Sequence, residues 1–414
     1  MKRAFKYKLI NLGKRNQSII DKHLKICCWL HNYLLKHLRK KDKNGEKKII
    51  EYQLVKLITE IKKERPFLKE VHSTTLQEIA KQVYKIWNHN EELKKLDSKK
   101  GYPNFKPLHR YNSLIYPQSI DKSSCGYKID NSPLFKKREN RELKLTLGRQ
   151  EKNVYLTVRI RMERSFQGNC KTLTIKRKNS KFYALFSCEN IPLKILPLTG
   201  KKVGVDVNLE KKSYITLSNG KKYKHPNFYK KSEKGIKEAS RNLSKKVEGS
   251  QNWKEAKLQL AKKWEKMVNQ FKHEVHQITN ELVRNYDEMA IENLKIRNMV
   301  RNRNLSKSIQ QARWGILFKS IAEKTEIVAR QFIRVNPHNT SQTCSNCNNL
   351  AEEKLELSNR TFYCQYCQFE LDRDINSARN ILNRAEGVWL KPSLEMGGEK
   401  LTASPIERGK YLLK

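Results

Sequence analysis

Four cysteines carry the spacing in this sequence that most directly prescribes a chemistry. Cys344-x-x-Cys347 is followed, after sixteen intervening residues, by Cys364-x-x-Cys367. Two such knuckles can wrap four thiolates tetrahedrally around one Zn²⁺. Binding free energies of ~10–16 kcal/mol in small zinc modules explain how so short a segment can fold. A thioredoxin-like redox pair is the rival reading, but there are two pairs here and no thioredoxin-like βαβ context. With every coordination position taken by protein, this zinc is structural. Asn348 and Gln368 stand where tight knuckles often place Gly. Asn tolerates the left-handed backbone well, Gln less so.

Three acids form the second constellation. Asp206 lies within the apolar run Val203-Gly-Val-Asp-Val207, Glu292 ends Ala290-Ile291-Glu292, and Asp374 stands where a helix is expected to begin. Singly, each has an ordinary reading: a strand-end surface acid for the first two, a helix N-cap for the third. A carboxylate in so apolar a strand is nonetheless costly unless it emerges at an edge or binds a cation. Three converging carboxylates raise one another's pKa unless metal is present. With two Mg²⁺ about 3.5–4 Å apart they become ligands for phosphodiester hydrolysis. The acids are 292 − 206 = 86 and 374 − 292 = 82 residues apart, so only tertiary folding can join them.

Several kinds of element must hold these residues. Phe5, Tyr7 and Leu9 alternate with lysines and predict an opening strand. Ile20, Leu24, Cys27, Cys28, Leu34, Leu35 and Leu38 predict a helix, and Ile50 to Ile61 a second one ended by Pro66. Thr74 and Gln77 resemble a capping box for a third. Between the first two, Lys36 to Lys48 reads as a basic loop, either a solvated connector or a phosphate contact. From Lys99 onward strand patterns dominate: Leu143 to Leu147, Val154 to Ile160, Thr172 to Ile175 and Phe182 to Ser187, with Lys178-Asn179-Ser180 as a hairpin turn. The strand at Phe5 could join this β module, which would make the helical block an insertion. After Lys201 come strands at Val203 to Val207 and Tyr214 to Leu217, a turn at Asn219-Gly220, and a long charged helical stretch from Phe228 to Asn285. A strand at Met289 to Glu292, a helix over Ser308 to Gln331, a strand at Phe332 to Val335 and a helix from Asp374 to Leu382 complete the pattern. Glycines and prolines beyond Ala385 suggest a frayed tail.

Charge narrows the function. The chain has 414 residues with 87 Lys+Arg against 42 Asp+Glu, a formal net charge of +45. A ~20 bp duplex carries roughly 40 phosphates, so an excess of this size suits a protein that holds nucleic acid. The basic residues spread over nearly the whole chain, which argues against a merely solubilising patch. No apolar run approaches the ~18 residues of a membrane span. Tyr7-Lys8-Leu9-Ile10-Asn11 interrupts any signal-peptide core after Met1-Lys2-Arg3. Cys27, Cys28, Cys125, Cys170 and Cys188 form no disulfide-like framework, and the odd total of nine points to a reducing compartment.

Taken in order, Gly204-Val-Asp206-Val, Ile291-Glu292-Asn-Leu294, Asn336-Pro337-x-x-Thr340-Ser341-Gln342-x-Cys344-x-x-Cys347, Cys364-x-x-Cys367 and Asp372-Arg-Asp374-Ile-Asn376-Ser-Ala378-Arg-Asn380 resemble the TnpB family. These are transposon-encoded RNA-guided DNA nucleases related to compact type V CRISPR effectors. The resemblance covers roughly residues 201–382, and Ala4-Phe5-Lys6-Tyr7 and Gly101-Tyr-Pro-Asn-Phe105-Lys106 look like further landmarks. It implies an α+β multidomain protein. Residues 1–15 and 99–198 would form a wedge-like, barrel-like β domain, and 16–98 a helical recognition domain. Residues 199–382 would form an RNase H-like RuvC nuclease with a zinc-binding insertion at about 340–370, and 383–414 a flexible tail. It implies Asp206, Glu292 and Asp374 as catalytic acids on two Mg²⁺, and Cys344, Cys347, Cys364 and Cys367 as ligands of one Zn²⁺. Asp372 is left without an assigned role. The implied partners are a guide RNA and double-stranded target DNA, with no membrane, for a monomer carrying one guide in the cytoplasm, at the nucleoid in a bacterium. Base pairing would choose the sequence, and the protein would read a short adjacent motif. The alternatives are a cleavage-silent RNA-guided DNA-binding repressor and a strand-joining transposase. The first would serve on the same scaffold without cutting. The zinc insertion and the Asp372-Arg-Asp374 context favour the nuclease over the second.

Overall fold

Period-two patterning in the first half of the chain does become a sheet, and its apolar face closes on helices. The computed structural model describes residues 1–414 except 47–48, 98, 119–125, 130–138, 148–154, 166, 354, 356–358 and 390–414. The chain forms two compact units, Met1–Pro192 and Leu193–Lys414.

In the first unit, strand β1 (Arg3–Ile10) leads into helix α1 (Lys14–Lys43), followed by α2 (Glu51–Glu64) and α3 (Ser73–Leu96). Six strands follow: β2 (Ser113–Tyr116), β3 (Tyr127–Ile129), β4 (Glu139–Thr146), β5 (Tyr155–Met162), β6 (Asn169–Lys178) and β7 (Lys181–Glu189). The sheet order is β2-β6-β7-β1-β5-β4-β3, so the first strand sits in the middle of the sheet and the helices are an excursion from it. The edges come close: the Tyr116 ring of β2 lies 6.4 Å from the Tyr127 ring of β3, which leaves a nearly closed barrel. Asn179 and Ser180 both have positive φ, 49° and 60°, the backbone of a tight type I′ hairpin. Phe5, Tyr7 and Leu9 of the sheet and Leu24, Leu34, Leu54, Leu76 and Val83 of the helices share one core.

Two local expectations fail here. Lys36 to Lys43 is not a loop but the last turns of α1. Lysine and arginine are good helix formers, Leu38 continues the buried stripe, and only Asn44 onward breaks away. Nor do Thr74 and Gln77 make a capping box. α3 starts at Ser73 with His72 as its N-cap, and the Thr74 hydroxyl bonds the His72 ring instead, at 2.7 Å. Cys125 and Val154 lie outside the described residues.

The second unit runs β8 (Lys202–Val207), β9 (Ile215–Leu217), β10 (Lys222–Tyr223), α4 (Phe228–Ser244), α5 (Gln251–Asn285), β11 (Glu288–Glu292), α6 (Ile296–Met299), α7 (Ser306–Ala312), α8 (Trp314–Ile327), β12 (Gln331–Val335), β13 (Thr361–Tyr363), β14 (Glu370–Asp372) and α9 (Arg373–Trp389). Its main sheet has the order β10-β9-β8-β11-β12. β8, β11 and β12 are parallel neighbours, whereas β9 and β10 pair antiparallel. Val203, Val205, Met289 and Ile291 face a core built with Phe271, Leu282, Leu317 and Ile321 from α5 and α8. On the alternate positions, Ala290 joins Val335 and the α9 residues Ile381 and Ala385. The sheet is thus covered on both faces, as parallel strands require. The helix expected over Ser308 to Gln331 is broken at Arg313, whose φ is 50°. The last helix reaches Trp389, so the expected tail from 383 begins as ordered helix, and 390–414 lies outside the described residues.

Candidate nuclease and zinc sites

β8 and β11 end side by side, with Val205 level with Ile291. One residue further on, Asp206 and Glu292 share the face turned to α9, because strand side chains alternate. α9 packs against β8, β11 and β12. Its approach depends on Gly204: a Cβ there would stand 1.9 Å from the Ala378 carbonyl oxygen and 2.8 Å from the Leu382 nitrogen. Asp372 accepts hydrogen bonds from the backbone N–H of Asp374 (3.0 Å) and Ile375 (3.2 Å), the work of an N-cap, and pairs with Lys222 at 2.6 Å. The capping duty falls to Asp372, which frees Asp374 in the first turn.

Asp206, Glu292 and Asp374 thereby line one cavity of about 150 Å³, together with Asn208, Thr340, Ser341, Arg360, Arg373 and Ser377. Burial holds the Asp206 carboxyl well above the usual range, and repulsion from Glu292 and Asp374 adds to it. Glu292 is raised as well, by burial, against the opposing pull of a hydrogen bond from Thr340 and of the Arg384 charge. Each acid has a neutral side-chain partner. Asn208 Nδ2 donates to Asp206 Oδ2 at 2.9 Å, and Thr340 Oγ1 donates to Glu292 Oε1. Ser213 Oγ lies 2.9 Å from Asp374 Oδ2 and 2.9 Å from Glu210 Oε2, and its single proton serves one of them at a time. Hard oxygen donors, buried and mutually repelling, suit a divalent cation such as Mg²⁺.

Asn208, Ser213 and Arg360 carry no signal that the sequence reading used. Asn208 is two residues from an acid already singled out, which was a usable signal. Ser213 reaches Asp374, and Arg360 the cavity wall, only through the fold. Thr340 and Arg373 lie inside the motifs that carry the family resemblance, which assign neither a role.

The four cysteines also converge, with all Sγ atoms within 4.8 Å of one another. Cys344 and Cys367 sulfurs stand 3.7 Å apart and those of Cys347 and Cys364 3.5 Å. Thiolates on a tetrahedron with Zn–S of about 2.3 Å would sit ~3.8 Å apart, so the cluster has the size of a zinc cage. Both knuckles close the same way: Asn348 N donates to Cys344 O at 3.0 Å and Gln368 N to Cys364 O at 2.9 Å. Both turning residues adopt the left-handed backbone, φ 63° and 55°, so the residues standing in for Gly take its conformation. The Cys367 thiol is lowered to about 6: burial pushes it up, but the Phe369 N–H and the Asn346 amide outweigh this.

The chain resembles known proteins in both sequence and fold. A family described as "Probable transposase" (OrfB_IS605) matches residues 185–303, and one described as "Cas12f1-like, TNB domain" matches residues 314–381. The chain is 26% identical over 423 residues to an Escherichia coli (strain K12) protein provisionally named RNA-guided DNA endonuclease InsQ, covering 98% of this chain and 97% of that one. A Streptomyces pristinaespiralis protein, provisionally named an RNA-guided DNA endonuclease, is 29% identical over 213 residues, 51% of this chain and 52% of its own. Among solved structures, a Cas12f1–sgRNA–target DNA complex shares the fold, with a TM-score of 0.59 at 16% identity over 90% of this chain and 84% of that one. The chain is a homologue of the TnpB/InsQ proteins and carries the OrfB_IS605 match over residues 185–303 and the Cas12f1-like TNB match over residues 314–381.

Proposed function

We propose that this chain is an RNA-guided DNA endonuclease that cuts by metal-dependent hydrolysis in a RuvC-type site. The observation that carries the reading is the shared cavity of Asp206, Glu292 and Asp374 at the ends of two parallel strands and the start of α9. The homologues' names and the net charge of +45 supply the RNA and DNA partners. When bound, two Mg²⁺ ions supply an activated water and charge stabilisation at the leaving oxygen. The chain's own part is to bring three carboxylates to one cavity, with Asn208 and Thr340 donating to Asp206 and Glu292 and Ser213 shared between Asp374 and Glu210. Arg360 and Arg373 put positive charge at the cavity wall, where a phosphodiester would enter. The zinc-sized thiolate cluster is the structural centre of the insertion at about 340–370 and takes no part in the chemistry. The barrel-like sheet of 1–15 and 99–198 is the wedge that grips guide RNA, and the helices of 16–98 are the recognition element beside the guide–target duplex.

The test is cleavage of a matched plasmid by the chain purified with its RNA. Asp206→Ala is expected to abolish cutting while guided DNA binding survives, since only transition-state stabilisation is removed. A variant that still cuts at the parental rate overturns the assignment. Loss of binding alongside cutting would show that Asp206 holds the fold rather than the reaction.

A further inference from the structure

We infer that Thr340 is a positioning residue that fixes the Glu292 carboxylate to the zinc-bearing element. The inference rests on the reading of Glu292 as a metal-holding acid. Glu292 is the last residue of β11 and, unlike the three buried residues before it, is only partly buried. Thr340 is 3% exposed, and its hydroxyl donates to Glu292 Oε1. A hydroxyl has one proton, and the competing acceptor, Pro337 O, is further away at 3.2 Å. Thr340 is itself clamped from behind. Asn380 of α9, 3% exposed, donates through Nδ2 to Thr340 O at 2.8 Å and to Thr343 O at 2.6 Å. Asn376, one helical turn earlier and fully buried, donates to Thr343 O at 2.8 Å and accepts from Ser345 N at 2.9 Å. These two asparagines therefore hold the turn leading into Cys344 against the same helix that carries Asp374.

The consequence is one rigid body. Asp374 is set by α9, and Glu292 by a turn that α9 also grips, so the distance between the two acids is held through Thr340 rather than by the sheet alone. Of the neutral donors on the three acids, Asn208 and Ser213 come from the strand region around β8 and β9. Thr340 alone comes from the approach to the first cysteine knuckle. The Thr340 side chain is buried, and its hydroxyl does the aiming.

The experiment compares Thr340→Val, which keeps the shape and removes the donor, with Thr340→Ser, which keeps the donor. It adds Glu292→Ala as a reference. Manganese binding to the purified full-length chain is read by electron paramagnetic resonance, zinc content by elemental analysis, and plasmid cleavage with the copurified RNA. Thr340→Val is expected to weaken Mn²⁺ binding and slow cleavage by ~10–100-fold, as loss of a ligand's hydrogen-bond partner does, with zinc content unchanged. Thr340→Ser restores most of both. Parental Mn²⁺ binding and cleavage in Thr340→Val overturn the inference, and so does zinc loss from it or an equal defect in Thr340→Ser. Glu292→Ala separates the two readings. If it cuts normally, the assignment of the acid itself fails; if it is inactive while Thr340→Val is parental, only the positioning role fails.

Discussion

Asp206 shows how one residue can be wrong for the fold and right for a reaction. The residue is 8% exposed within an apolar strand, and its carboxyl is held above the ordinary range by burial and by two like charges. Such a group binds its proton more tightly in the folded chain than in the unfolded one. Folding is therefore unpenalised below the unfolded pKa and loses stability as pH climbs through the interval up to the raised value. In magnesium-free buffer Asp206→Asn is expected to melt near the parent at about pH 4. It should melt progressively higher than the parent towards neutral pH, by about 2–4 °C for each kcal/mol relieved. Added Mg²⁺ should narrow that gap by stabilising the parent alone. Differential scanning calorimetry across pH checks this, and a gap that shrinks as pH rises would contradict the burial argument.

At the scale of elements, the site depends on how closely α9 lies on β8. Gly204 makes this possible, since the Ala378 carbonyl oxygen occupies the place of its missing Cβ. Gly204→Ala must push the helix off the sheet and carry Asp374 away from Asp206. Overpacking of this kind costs about 1–3 kcal/mol or more. The expected result is a lowered thermal midpoint together with lost cleavage, and parental values for both would refute the packing argument. The same closeness explains why Asp372, and not Asp374, caps the helix: the first carboxylate points back to the N–H groups and the second into the cavity.

For the whole molecule, charge decides. An excess of 45 positive charges makes the chain strongly attractive to polyanions. Affinity for guide RNA and for DNA should fall steeply with salt, by ~10³–10⁵ between 50 and 200 mM for 6–10 phosphate contacts. Fluorescence anisotropy over that range measures the slope, and a flat response would remove the electrostatic argument. Among the described residues, no helix is long and apolar enough to cross a membrane.

The sequence by itself determined the period-two and helical stripes, the turns at Asn179-Ser180 and Asn219-Gly220, the cysteine spacing and the ordered run of acidic motifs. All of these are set by neighbours within a few residues or by ligand chemistry. It misjudged the ends of helices, at Lys36 to Lys43, Thr74, Arg313 and Ala385, because caps and breaks are decided by which backbone groups find partners in space. Only the tertiary structure decided that β8 and β11 finish level, that α9 crosses them above Gly204, and that Asn376 and Asn380 bind the knuckle turn. Those facts join residues from about thirty to more than one hundred and seventy positions apart. Pairing across such distances is chosen by burial and by hydrogen bonds that no local pattern of residues encodes.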